Sequence, residues 1–297
     1  MALTAIVTDG VNDLSQDMID EYDITVIPYR IMFGEEVHRI WHNDKCTISL
    51  EDFCSKITKC SKEELPSTSV PTPLEFHEAF NTALGKASSV IAVFQAAKMS
   101  GTVNIAQSVA NNGYKNNDIA IFDSKRIMTG SGIQALEAAK MAKKGSSKNK
   151  ILLRLEAINP RVRTILIMND LNYLYLRGRI GRAKKLLGSA MNMIPSIAIE
   201  EGVPTALGTF KGTKNLSEQL QYFCSKIIEQ TETNDIFITH INHHALTQEI
   251  VDLMNDKNDR DISIHYKEAG PIMGVYSGPK AICISYIGNW NKKWLIK

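Results

Sequence analysis

Two short runs constrain this chain more than any other feature. SSVIAVF (residues 88–94) and DIAIFDS (residues 118–124) are nearly unbroken apolar stretches, each followed by a loop and a helical pattern. A strand wet on one face alternates apolar and polar residues, so continuous runs of this length point to a parallel sheet covered on both faces. TAIVTDG (4–10) has the same character, and LSQDMIDEY (14–22) after it has helical spacing. ITVIPYRIMFG (24–34) then reads as extended, EEVHRIW (35–41) as part of a hairpin and SLEDFCSKITKC (49–60) as a helix. Thr72, Pro73 and Glu75 form a capping box with proline at the first helical position, so a helix starts there and Ser67 to Thr72 is an exposed or ligand-facing loop.

Beyond NPRVR (159–163) the pattern changes. Apolar strands such as VRTILIM (162–168), IPSIAIEEGVPTALGTF (194–210) and KAICISYIG (280–288) mix with long helices in NLSEQLQYFCSKIIEQ (215–230) and HALTQEIVDLMND (244–256). A chain of 297 residues has material for two cores. The expected architecture is therefore α/β in two domains. Residues 1–160 form a doubly wound domain with a mainly parallel sheet, and residues 161–297 form an α+β domain with a mixed or antiparallel sheet.

Charge and composition exclude several functions. The net charge of +2 gives no basis for a nucleic-acid partner, which would need Lys and Arg massed on one face. No apolar stretch approaches the ~20 residues that span a bilayer, and MALTAIVTDG has no basic start ahead of an apolar segment, so neither export nor membrane insertion is expected. The five cysteines are odd in number and contain no C-x-x-C pair, which suits reduced thiols in a cytoplasmic protein. His240, His243 and His244 lie at a strand end without metal-ligand spacing, so no metal site is expected.

Ligands of open parallel sheets sit beyond the carboxyl ends of strands, where helix amino ends present free N–H groups. Three such edges stand out: Thr8-Asp9-Gly10, Ser100-Gly101-Thr102 and Asp123-Ser124. Hydroxyls and a helix amino end at Ser100 to Thr102 suit a carboxylate or a phosphate; the plain alternative is that Ser100 only caps the helix.

Seven blocks, IVTDGVNDL, STSVPTP, KMSGTVNIAQSVA, IAIFDS, LNYLYLRGRI, MNMIPSI and YSGPKAICI, occur in the order and spacing of one family. In them the chain resembles the DegV family, bacterial fatty-acid-binding proteins that include the binding subunits of fatty acid kinase. The resemblance implies a protein that binds one long-chain fatty acid such as palmitate, stearate or oleate. It implies no other cofactor and no catalytic residue, and a fatty acid kinase catalytic subunit as partner. By the family pattern Thr68 and Ser100 hold the carboxylate near the surface of the first domain, the second domain covers the acyl chain, and Ser100 caps its helix as well. Asp9, Thr102, Arg179 and Tyr276 fall on further blocks and complete the expected ligand-binding set. The chain departs from the family pattern at Gly10, Val70, Ala96 and Ala97, where hydroxyls or an amide are usual, at Arg177 in the G-G-R-I signature, and at Tyr276, where histidine is usual.

Energetically the tail dominates. At ~0.8 kcal/mol per buried methylene, about sixteen carbons give a gross ~12 kcal/mol before association costs, against about 1.5–3 kcal/mol for a charge-assisted hydrogen bond at the head. The tail thus sets affinity and the polar end sets orientation. Two other functions stay open: Ser100 as nucleophile of an acyl hydrolase or transferase, though no G-x-S-x-G elbow is present, and nucleotide binding, though neither G-x-G-x-x-G nor G-x-x-x-x-G-K-[ST] occurs. Arg177, Arg179, Arg182, Lys184 and Lys185 form a basic segment that either docks an acidic partner or is a solvated face.

Overall fold

The computed structural model describes residues 3–41, 46–114, 119–169, 171–188, 193–211 and 216–295. They divide into two compact units, Met1–Ile48 with Pro66–Pro160, and Ser49–Leu65 with Arg161–Lys297.

The chain begins with β1 (Ala5–Asp9), α1 (Gln16–Glu21), β2 (Thr25–Ile27), β3 (Tyr29–Phe33) and β4 (Glu36–Ile40). It continues through α2 (Leu50–Ile57), β5 (Ser67–Ser69), α3 (Pro73–Leu84), β6 (Val90–Phe94), α4 (Thr102–Gly113), β7 (Ile119–Asp123), α5 (Thr129–Lys143) and α6 (Lys148–Ile158). In the first unit a parallel sheet runs β2-β1-β6-β7, with β1 and β6 paired in the middle. Every residue of β6 is buried, as its unbroken apolar run requires. One face of the sheet packs on α3 and α4 through Val7, Phe76, Phe80, Phe94 and Val109, where Phe76 meets Phe94 edge-on at 5.6 Å. Each fully buried large side chain here contributes about 1.5–3 kcal/mol.

Pro28 separates two uses of the segment that reads as continuously extended. β2 joins the parallel sheet, whereas β3 pairs antiparallel with β4 and with β5. This corrects the expected loop at Ser67 to Thr72, because Ser67–Ser69 pairs with Arg30–Met32 as a short strand. The capping box at Thr72 is formed, with the Glu75 carboxylate accepting the Thr72 N–H at 2.9 Å. Glu75 also accepts from Arg30 Nη2 at 2.6 Å and Arg39 Nη2 at 2.9 Å, which ties β3 and β4 to the start of α3.

The second unit contains β8 (Val162–Met168), α7 (Asn172–Leu176), β9 (Met193–Glu200), β10 (Val203–Lys211), α8 (Leu216–Gln230), β11 (Thr231–Ile241), α9 (His244–Asp256), β12 (Ser263–Glu268), α10 (Pro271–Ser277) and β13 (Ala281–Gly288). Asn215, read as the start of α8, lies outside the described residues. The mixed sheet runs β10-β9-β8-β13-β11-β12, and α8 and α9 cover it through Phe223, Ile227, Ile250 and Met254. The stretch read as one strand over 194–210 is a hairpin. Glu201 and Gly202, at φ 49° and 75°, make the tight turn between β9 and β10. α2, which precedes β5 in the sequence, packs with this second unit: a Cβ placed on Gly274 of α10 would lie 2.3 Å from the Phe53 ring.

Candidate functional site

The order β2-β1-β6-β7 reverses direction between β1 and β6, since the chain leaves β1 toward β2 on one side and β6 toward β7 on the other. In open sheets of this kind the ligand site lies outside the carboxyl ends of the two strands at that switch point. Asp9 ends β1 and Gln95 follows β6, and the two are joined by the Gln95 N–H donating to Asp9 Oδ2 at 3.3 Å.

Asp9 is wholly buried. Burial pushes its carboxyl up to about 6, against the lowering effect of the Val11 and Gln95 N–H groups that it accepts. Asn12 locks the following turn, donating from Nδ2 to Asp9 O at 2.7 Å and accepting the Leu14 N–H at 2.8 Å. The hydroxyl lost at Gly10 has a steric reason, because a Cβ there would lie 2.5 Å from Ile40 O at the end of β4.

The turn after β6 is held at both ends. Ala96 N–H donates to Arg126 O at 2.7 Å, and Ser100 N–H donates back to Ala96 O at 3.1 Å. This turn delivers Ser100 and Thr102 to the switch point, but the expected cap is not formed by Ser100. Gly101 is the N-cap residue of α4 and supplies no side chain, while the Ser100 hydroxyl receives the Thr102 N–H only at 3.4 Å. Ser100 Oγ turns instead to Tyr29 Oη and Thr102 Oγ1, each at 2.8 Å. Tyr29 Oη also bonds Thr102 Oγ1 and accepts from Gln95 Nε2 at 2.7 Å. Burial pushes the Tyr29 phenol well above its ordinary range, and the nearby Asp9 charge adds to the effect, so it stays protonated.

Thr68 belongs to the same surface by register. It pairs with Ile31 across β3 and β5, and residues opposite one another, like residues two apart on a strand, project to one face. Thr68 therefore shares its sheet face with Tyr29, one diagonal step away, a spacing of about 7–8 Å between strands. Ser100 and Thr102 are thus joined by a direct hydrogen bond, Asp9 is linked to them through Gln95 and Tyr29, and Thr68 is brought near by strand pairing, all within the first unit. Arg179 and Tyr276 belong to the second unit. Arg179 is exposed after α7 and donates to Arg177 O at 3.3 Å, and Tyr276 is half-buried on α10.

Tyr29 and Gln95 were absent from the expected set. The alternation Tyr29, Ile31, Phe33 places the phenol on one face of its strand, but its contact with Ser100, 71 residues on, is a tertiary one with no local signal.

In the second unit, a cavity of about 520 Å³ is lined by Cys54, Asn242, His244 and Glu268 among others. Burial pushes the Cys54 thiol up to about 11, and His244 pairs with Glu268 at 3.3 Å. Among the described residues no three His, Cys, Asp or Glu side chains are grouped to hold a metal ion.

A family model described as "Uncharacterised protein, DegV family" matches residues 3–289. The chain belongs to the DegV family. A DegV domain-containing protein of Caldanaerobacter subterraneus subsp. tengcongensis is 29% identical over 282 residues, 95% of this chain and 97% of that protein. Among solved structures, one described as fatty acid binding of a DegV family protein from Thermus thermophilus superposes with a TM-score of 0.83 at 22% identity, covering 97% of this chain and 100% of that one. A stearic acid-binding protein from Eubacterium ventriosum gives 0.81 at 20% identity, covering 96% and 98%. These likenesses establish the shared DegV fold. No described helix of this DegV-family chain is long and apolar enough to cross a membrane.

Proposed function

We propose that this chain binds one long-chain fatty acid and holds its carboxylate at Thr68 and Ser100, with Thr102 seated behind Ser100. The observation that carries this is the convergence of Ser100, Thr102, Tyr29 and Gln95 at the switch point of the parallel sheet, beside the amino end of α4. Hydroxyl donors and an amino helix end without a side-chain cap favour an anionic acceptor. Relatives of the same fold are described as binding fatty acids, stearic acid among them. Burial of the tail by residues 161–297 and contacts from Arg179 and Tyr276 are carried over from the family pattern.

The chain is a carrier in this scheme, working in the cytoplasm and passing its acid to a fatty acid kinase catalytic subunit. The exposed Lys184 and Lys185 beside Arg179 support docking of such a partner. Among the described residues the partners of the Ser100 hydroxyl are hydroxyls and a peptide N–H, not an imidazole, which favours binding over nucleophilic attack by Ser100.

Native mass spectrometry of gently purified protein is expected to find a bound fatty acid. Oleate titration is expected to weaken about 10–100-fold in Ser100→Ala and in Thr68→Val, the loss of one charge-assisted hydrogen bond each. A wild-type protein that carries no lipid and takes up neither oleate nor palmitate would sink the proposal. Steady hydrolysis of an acyl ester, abolished in Ser100→Ala, would replace it with the hydrolase.

A further inference from the structure

The three hydroxyls at the head of α4 can be counted proton by proton. Tyr29 Oη, Ser100 Oγ and Thr102 Oγ1 lie in mutual contact, with Tyr29–Ser100 and Ser100–Thr102 both at 2.8 Å and Tyr29 bonded directly to Thr102. Three contacts need three protons, and three hydroxyls carry three. In either direction the ring consumes them all. Two further acceptor positions are engaged from outside, since Gln95 Nε2 donates to Tyr29 Oη at 2.7 Å and the Thr102 N–H leans on Ser100 Oγ at 3.4 Å.

We propose that Tyr29 is a built-in competitor for the donors that hold the ligand, setting how tightly the acid is kept and how readily it leaves. This rests on the fatty-acid reading of the site. A carboxylate only accepts, so it binds Ser100 by taking a proton already committed to the ring. One internal hydrogen bond is lost for the one gained.

Removing either of the other two hydroxyls changes the count. In Tyr29→Phe, Ser100 and Thr102 keep two protons for one mutual contact, and one is spare for a carboxylate. In Thr102→Val, Tyr29 and Ser100 stand in the same relation. A bulk effect of the Tyr29 ring would not be shared by Thr102→Val, because valine keeps the shape of threonine.

The test titrates oleate into the delipidated full chain, as wild type, Tyr29→Phe, Thr102→Val and Ser100→Ala, with cooperative unfolding verified for each. Oleate is expected to bind about tenfold tighter to Tyr29→Phe and to Thr102→Val, with slower release. Unchanged or weaker oleate binding in a folded Tyr29→Phe overturns the inference. Should Tyr29→Phe not fold, Thr102→Val alone decides by the same criteria. Weakening in Ser100→Ala without tightening in the other two overturns this inference and leaves the fatty-acid reading standing. No oleate uptake by wild type overturns both.

Discussion

Gly132→Ala is expected to cost about 3 kcal/mol or more of unfolding free energy, the penalty of forcing atoms into a filled core. Helix propensity alone gives the opposite sign, since alanine within a helix is worth about 1 kcal/mol over glycine. The structure overrides propensity because a Cβ on Gly132 would lie 2.2 Å from Asn12 O. Asn12 cannot yield cheaply, being fully buried and bonded through its side chain to Asp9 O and the Leu14 N–H. Either α5 retreats or the turn carrying Asp9 moves, so oleate binding should fall with stability. Gly101→Ala is the matched control: nothing stands within 4 Å of its added Cβ and its φ of −73° suits alanine, so its effect should stay within about 0.5 kcal/mol. Urea midpoints compare the two. A stabilised Gly132→Ala would show that α5 does not press on this turn.

Asp9 should make the protein more stable at mild acidity than at neutral pH. Its carboxyl is raised from an ordinary value of 3.8 to about 6 by burial, so the folded state holds this proton more tightly than the unfolded state. The stability tied to the neutral acid is complete below about pH 4 and is lost as pH rises through 6, where a buried anion remains. The shift corresponds to about 3 kcal/mol across that window. Asp9→Asn cannot titrate, so the unfolding free energy of wild type minus that of the variant should fall by about this amount between pH 4 and pH 7.5. A difference that stays constant across the range would mean that the carboxylate is ionised at no cost. The absolute offset is a separate quantity, because an asparagine amide would face one of the two backbone donors that the carboxylate now accepts.

The parallel sheet was legible because its requirement is local: a strand covered on both faces must be apolar at every position, as β6 is. The start of α3 was legible for a similar reason, since Thr72, Pro73 and Glu75 close the cap among themselves. The strand-end rule likewise pointed to Asp9, Ser100 and Thr102. What escaped depends on partners distant in sequence. β5 is a strand only because β3 supplies its edge, and Tyr29 enters the hydroxyl ring through contacts with Ser100 and Thr102 more than 70 residues away. The β9–β10 turn was missed because Glu201-Gly202 lacks the Asn-Gly or Asp-Gly signature of such turns, although both residues adopt positive φ. Ser100 has the composition of a cap, yet its hydroxyl has better partners in Tyr29 and Thr102.

The packing of Phe53 against Gly274 bears on how the protein is made. A ribosome adding about 5–20 residues per second releases α2 early, and its seat emerges roughly 220 residues afterwards, so the apolar side of that helix waits unsheltered for tens of seconds. Translation stalled after residue 160 would leave a nascent chain with Phe53 and Ile57 uncovered, a state for a chaperone to guard and one in which aggregation would begin.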